Sequence, residues 1–181
     1  MTDGDENAYD EFALAYAKSN ESNAWNAYYE RPAVLGLVGD VAGRRVLDAG
    51  CGAGAHTAAL VERGAQVIGI DSSAGLLAIA ADRLHGAARF EHADLRDRLP
   101  FDEQSFNVVL ASLVMHYLPD WAPTLREFHR VLISSGRLII STHHPFMDHA
   151  LAGGDDYFAT YQSPWPLPPV RRLPCSLRAC P

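Results

Sequence analysis

Cysteine, lysine and long apolar runs are scarce in this sequence, and each shortage excludes a class of protein. Three cysteines among 181 residues are too few for a disulfide framework. No apolar run is long enough to cross a bilayer, and the acidic start at residues 1–7 is unlike a signal peptide. Lys18 is the only lysine, and the net charge of −7 argues against a nucleic-acid backbone as partner. We therefore expect a cytoplasmic domain with a sizeable core.

One stretch, residues 45–57, organises the rest of the chain. It begins with apolar residues typical of a buried strand and continues with glycines at every second position, Gly50, Gly52 and Gly54. A helical pattern follows from Thr57 to Arg63. Glycine allows a sharp turn and the close approach of a ligand, and the helix points its free N–H groups into that turn. This layout predicts a nucleotide-type binding site.

The acid before the turn indicates the charge of the ligand. Asp48 lies two residues before Gly50, where a dinucleotide-binding fold usually has an apolar residue, and a carboxylate there suits a ligand with positive charge. The stretch resembles motif I, D-x-G-x-G-x-G, of the class I S-adenosylmethionine-dependent methyltransferases, through Asp48, Gly50, Gly52 and Gly54. The looser dinucleotide pattern is also met, through Gly50, Gly52 and Ala55, which leaves an NAD-dependent oxidoreductase as an alternative.

Alternating strand and helix patterns follow the turn. They predict strands at 44–49, 66–70, 89–93, 105–112 and 137–141, with helices at 57–63, 74–84 and 122–132. Asp71 ends the second strand, where an acid can accept two ribose hydroxyls; the alternative is a simple turn or capping acid. The resemblance implies that Asp94 and the N–H of Leu95 hold the adenine, with a turn Asp as the alternative. It also matches Arg130-Val131-Leu132, followed by a turn at residues 134–136.

The remaining site candidates come from the same resemblance. It implies that Cys51, Ser72 and Ala111 line the cofactor, and that His116 faces the acceptor. Histidine can act as a general base because its ordinary pKa lies near neutrality, although a lone histidine is more often structural. The family usually has Asp where Asn107 stands, so a role at this position is weakened.

Histidines near the fifth strand are weaker candidates. His143 and His144 are adjacent and so point to opposite faces of a strand, which argues against a metal site. His144 or His149 is a candidate for the acceptor pocket. The sequence predicts no metal.

Three segments are predicted. Residues 1–39 form a helical cap, in which Tyr9, Tyr16, Tyr28 and Arg31 either touch ligand or pack the helices, and Pro32 is a possible break. Residues 40–162 form the cofactor-binding core. Residues 163–181 hold six of the eleven prolines, a density that prevents a helix or a central strand. The family's last two strands are not found there, so we hypothesise a truncated or frameshifted relative; a proline-rich recognition tail is the alternative.

These patterns predict an α/β fold, a Rossmann-like three-layer sandwich with a mainly parallel sheet that lacks the last strand pair. The resemblance implies methyl transfer from S-adenosylmethionine to a small-molecule acceptor, by in-line displacement at the sulfonium methyl. A remnant that binds cofactor weakly or not at all is the second interpretation. The acceptor, the methylated atom and the oligomeric state are left open.

Overall fold

The first strand is the centre of the sheet. In the structure, a computed structural model that describes residues 13–144, β1 (Arg45–Ala49) lies between β2 (Gln66–Asp71) and β4 (Phe106–Ser112). The outer strands are β3 (Arg89–His92) beside β2 and β5 (Leu132–Ser141) beside β4. All pairs are parallel, in the order β3-β2-β1-β4-β5. The order reverses direction between β1 and β4, and open sheets of this kind bind ligands at that point, outside the carboxyl ends of the strands.

The helices have bounds close to those that the periodicity predicts. They are α1 (Ala13–Ser22), α2 (Arg31–Val38), α3 (Ala55–Glu62), α4 (Ala74–Leu84) and α5 (Ala122–Val131), with a π-helical turn at Asn26–Glu30 and a 3₁₀ turn at Met115–Tyr117. Pro32 was expected as a possible break, but it lies in the first turn of α2. Proline is tolerated there because the first N–H groups of a helix have no partner within it.

Helices cover both faces of the sheet, and strand alternation decides which side chains meet them. Along β1, Val46 packs with α2 and α3, whereas Leu47 and Ala49 face α5 on the other side. Phe106 and Phe128 are fully buried in the second cluster. This confirms the predicted three-layer α/β sandwich. No helix in residues 13–144 is long and apolar enough to cross a membrane.

The segment before the fifth strand differs from the expected turn. β5 begins at Leu132, directly after α5, and residues 134–136 belong to the strand. The pairing shifts from Phe106↔Leu132 to Val108↔Arg137, so extra residues on β5 form a bulge. Gly136 fits this bulge because a Cβ at this position would lie 2.9 Å from the carbonyl oxygen of Ile133.

The chain divides into two compact units, residues 1–143 and residues 144–181. Of the second unit the structure describes His144 alone. Tyr9, His149 and the tail at 163–181 lie outside the described residues, and the boundaries predicted at 39/40 and 162/163 stay predictions.

Arg130 anchors α5 to the loop before β4. Its guanidinium donates to the carbonyl oxygens of Phe101 (2.7 Å) and Leu99 (3.0 Å) and to the Glu127 carboxylate at 2.6 Å. Glu127 in turn accepts from the N–H of Leu99 at 2.9 Å. One planar cation therefore satisfies backbone groups that no regular element pairs.

Replacing this cation is expected to destabilise the fold. Arg130→Met removes the charged donor and should lower the free energy of unfolding by about 2–3 kcal/mol, as for other hydrogen bonds to charged groups. Arg126→Met, an exposed change on the same helix, is the matched control and should cost under about 0.5 kcal/mol. Urea denaturation of both variants measures the difference, and equal losses would contradict the anchoring role.

Candidate functional site

The glycine turn is held directly against the second strand. The N–H groups of Gly50 and Cys51 both donate to the carbonyl oxygen of Ile70, at 2.8 and 2.9 Å. Gly50 and Gly52 have φ of +75° and +53°, a region that side chains disfavour. The two positions differ in their surroundings. A Cβ on Gly50 would lie 2.5 Å from Val114 Cγ2, whereas a Cβ on Gly52 would meet nothing within 4 Å.

Asp71 joins this turn to the next helix. Its carboxylate accepts the N–H of Gly52 at 2.8 Å and the N–H of Ser73 at 2.9 Å. Ser73 caps α4 by accepting the N–H of Leu76. The acid predicted to bind ribose therefore lies at the turn, half-buried at the carboxyl end of β2. It also organises the loop, as the capping interpretation expected.

Asp48 is a buried carboxylate beneath the turn. The side chain is 1% exposed, and the hydroxyl of Thr57 donates to it at 2.6 Å. Burial raises the pKa of Asp48; the nearby His56 and the Thr57 hydroxyl oppose that rise. Asp71 and Glu30 add negative charge around Asp48 and raise its pKa further. The surroundings of Asp48 are thus rich in acids, which favours a cationic ligand above the turn.

Asp94 follows β3, next to Ala93, whose N–H donates to the carbonyl oxygen of Asp71 at 3.1 Å. Its carboxylate binds Arg96, both through the side chain at 2.6 Å and through the backbone N–H at 2.8 Å. These hydrogen bonds hold the pKa of Asp94 below its usual range. Leu95 is buried, and its carbonyl oxygen accepts the Thr124 hydroxyl at 2.8 Å. The pairing of Asp94 with Arg96 was not anticipated from the sequence.

The other predicted cofactor contacts have different surroundings. Cys51 is buried, and burial raises the pKa of its thiol, which disfavours the reactive thiolate. Ala111 is buried near the end of β4, while Ser72 is exposed and its carbonyl oxygen lies 3.0 Å from a ring nitrogen of His92. Asn107 accepts the N–H of Arg45 at 2.9 Å, at the opposite end of the sheet.

The N-terminal helix covers the turn. Ala13 and Ala17 pack against Ala53 and Leu76, and Arg83 on α4 pairs with Glu21 on α1. Tyr16 lies on the same side, and burial, helped by Tyr117 and Asp71, raises its pKa to about 12.

Two other cap residues predicted to touch ligand or pack are placed differently. Tyr28 is 79% exposed, and Arg31 binds the carbonyl oxygen of Asn20.

His116 follows β4 in the 3₁₀ turn. Its ring lies 4.1 Å from Tyr117 and stacks on His143 at 4.2 Å with an interplanar angle of 20°. The segment therefore presents stacked aromatic rings near the carboxyl ends of β4 and β5. No group of three metal-ligating side chains occurs between residues 13 and 144.

A polar cluster lies on the side of β1 opposite β2 and was not predicted from the sequence. This Glu30 cluster consists of Glu30, His56, Ser112 and Ser141. The Glu30 Oε1 atom accepts the hydroxyls of Ser112 (2.6 Å) and Ser141 (2.5 Å), and the Oε2 atom lies 3.2 Å from His56 Nε2. Burial alone would raise the pKa of Glu30, but His56 and the two serines outweigh it and hold that pKa below its usual range. One signal was available: both serines end neighbouring parallel strands, which brings them together.

Comparison with known proteins gives the class of protein. A family model described as a methyltransferase domain matches residues 47–140, from β1 to β5. The chain belongs to this family of class I S-adenosylmethionine-dependent methyltransferases, whose cofactor is S-adenosylmethionine.

Individual relatives agree. The chain is 38% identical over 135 residues to a demethylmenaquinone methyltransferase of Clavibacter sepedonicus, covering 73% of this chain and 55% of that protein. It is 32% identical over 105 residues to a ubiquinone biosynthesis O-methyltransferase of Pseudomonas aeruginosa, covering 56% and 45%. A solved S-adenosylmethionine-dependent methyltransferase of Mesorhizobium loti is 34% identical, with a TM-score of 0.60, over 69% of this chain and 56% of that one. The chain spans about half the length of these relatives.

The residues present fit the cofactor. Gly52 leaves open space where any other side chain would project, and the backbone N–H that it directs to Asp71 brings that carboxylate to the turn. The buried carboxyl group of Asp48, when ionised, provides the negative potential that a sulfonium and an ammonium group favour.

Proposed function

We propose that the chain transfers a methyl group from S-adenosylmethionine to a small-molecule acceptor by in-line displacement. The open space at Gly52, whose N–H binds the Asp71 carboxylate, is the observation that carries this proposal. When bound, the cofactor supplies a methyl group that its sulfonium has already activated. The chain's own contribution is then to position both partners and exclude water, which can account for most of the rate.

The residues have separate roles in this proposal. The glycine turn and Asp48 hold the amino-acid end of the cofactor, Asp71 and Ser72 the ribose, and Asp94 and Leu95 the adenine. His116 faces the acceptor, and its stacked rings suit an aromatic molecule. The quinone methyltransferases among the relatives support hydroxylated aromatic compounds as the first acceptors to test.

Calorimetric titration of the whole chain with S-adenosylhomocysteine, the demethylated cofactor, tests the site. We expect micromolar binding, about −8 kcal/mol, and no binding of NADH, because Asp48 repels a pyrophosphate. Tighter binding of NADH would contradict the proposal. Binding of S-adenosylhomocysteine without turnover on any acceptor would support the second interpretation, a protein that holds the cofactor and transfers nothing.

A further inference from the structure

The Glu30 cluster lies on the acceptor side of the site. The sheet order places Asp71, at the end of β2, on one side of β1. Ser112 and Ser141, at the ends of β4 and β5, lie on the other side, and both bind Glu30. A ligand whose ribose end is at β2 and whose reactive end reaches β1 therefore directs its methyl group towards β4 and β5. In the function proposed above, the methyl acceptor then lies beside the cluster.

His56 is placed there by the turn. It occupies the first turn of α3, next to Thr57, and its Nε2 atom lies 3.2 Å from the Glu30 carboxylate. The side chains are 15% and 11% exposed, so the pair is largely shielded from water. Asp48 from β1 also acts on His56 electrostatically. Carboxylates from two elements, the Glu30 side chain and Asp48 of β1, therefore lie near the ring.

Glu30 is held so that it can support this ring. The Ser112 and Ser141 hydroxyls both donate to its Oε1 atom, and the N–H of Leu113 donates to the Ser141 hydroxyl at 3.1 Å. Oε2 is thereby directed at His56. A carboxylate that orients an imidazole and stabilises its protonated form is the arrangement used where a hydroxyl must lose its proton.

We propose that His56, positioned by Glu30, is a proton acceptor for a phenolic or quinol hydroxyl on the methyl acceptor. The proposal depends on the function proposed above. In the step, the O–H bond of the acceptor breaks and an N–H bond forms at Nδ1 of His56, because Nε2 faces the Glu30 carboxylate. The electron pair stays on the acceptor oxygen, which becomes the nucleophile for the methyl group. The imidazole then returns its proton to water. His56 is a candidate base in addition to His116, and the experiment below distinguishes the roles of the two histidines.

The test uses single-turnover methylation by the whole chain, with a series of phenols. Para-cresol carries its proton in mildly alkaline buffer, whereas para-nitrophenol is largely ionised and needs no base. His56→Gln is expected to slow para-cresol methylation about a hundredfold or more, within the usual range for a general base. Its effect on para-nitrophenol should be less than about threefold, since no proton has to be removed.

Glu30→Gln tests the positioning role. The amide oxygen can still accept the serine hydroxyls but carries no charge, so para-cresol methylation should fall about tenfold while para-nitrophenol methylation is retained. His129→Gln and Glu62→Gln, both exposed, are the matched controls. Affinity for S-adenosylhomocysteine is measured on every variant and should stay within about twofold of that of the parent chain.

Several outcomes overturn the proposal. Equal losses with both phenols indicate a structural role, and a matching loss of S-adenosylhomocysteine affinity makes Glu30 or His56 a cofactor ligand. A loss specific to para-cresol in His116→Gln alone assigns the proton to His116. A parent chain that binds S-adenosylhomocysteine but methylates no phenol overturns this inference only. A parent chain that does not bind it overturns the proposed function as well. If His56→Gln does not fold, His56→Asn is measured in its place.

Discussion

Gly50→Ala is expected to destabilise the chain more than any other change of a glycine to alanine in the turn. The new Cβ would lie 2.5 Å from Val114 Cγ2 and 2.7 Å from Val114 Cβ, distances that require one backbone to move. The φ of +75° adds strain of about 1–2 kcal/mol for a residue with a side chain. With overpacking of about 1–3 kcal/mol, we expect a loss of about 2–5 kcal/mol, a large part of the stability of an ordinary domain.

The same substitution at two other glycines isolates the cause. At Gly52 the strain remains but the Cβ enters open space, so stability should fall by only about 1–2 kcal/mol. Affinity for S-adenosylhomocysteine should fall between about tenfold and a hundredfold, because the methyl group occupies the space assigned to the ligand. Gly36 lies in α2 with nothing within 4 Å. Alanine there should stabilise the chain by about 0.5–1 kcal/mol.

Urea denaturation measures the stability of these three variants, and calorimetry independently measures their affinity for S-adenosylhomocysteine. Relief of the Gly50→Ala defect by a second change, Val114→Ala, would locate the clash at that side chain. Similar losses of stability at Gly50 and Gly52 would show that backbone strain alone decides the outcome. Unchanged S-adenosylhomocysteine affinity in Gly52→Ala would place the ligand elsewhere.

Patterns along the chain predicted the elements well where packing and local chemistry agree. Helix α4 has the predicted bounds because a capping serine precedes its apolar face and the chain leaves it at His85 in a left-handed conformation. The bulge in β5 was missed, because Ser134 and Ser135 are turn formers by local preference. Pairing with β4 on one side and continuity with α5 draw them into the strand.

Residues of the site divide in the same way. The sequence could place Asp48, Asp71 and the glycines at one turn, because motif spacing and the end of the second strand locate them, while their roles towards the cofactor stay predictions. The Glu30 cluster could not be predicted, since Glu30 lies 82 residues from Ser112 and 111 from Ser141. Only the fold unites them, and each residue alone has an ordinary explanation on a helix or at a strand end. The Asp94–Arg96 pair was missed for another reason: a two-residue spacing in a loop has no preferred geometry until the loop is built.

Asp48→Asn is expected to separate stability from function. Burial raises the pKa of this acid in the folded chain, so the fold disfavours its charged form. The unfolded state then loses its proton first, and stability falls as the pH rises above about 4, the ordinary value for Asp. Asparagine removes that penalty and keeps an oxygen for the Thr57 hydroxyl, which donates at 2.6 Å. At neutral pH the variant should be as stable as the parent chain or more stable.

The affinity of Asp48→Asn for the cofactor should fall, although its stability does not. S-adenosylhomocysteine keeps the ammonium group, and a lost charge-assisted interaction costs about 1.5–3 kcal/mol, or between about tenfold and a hundredfold in affinity. Asp82→Asn, an exposed change on α4, is the control and should alter neither quantity. Urea midpoints between about pH 4 and 8 should decline less for Asp48→Asn than for the parent chain. A variant that loses stability but keeps its affinity would mean that Asp48 is a structural partner of Thr57. If Asp48 instead costs the fold stability and binds the cofactor, the variant keeps or gains stability and loses affinity for S-adenosylhomocysteine.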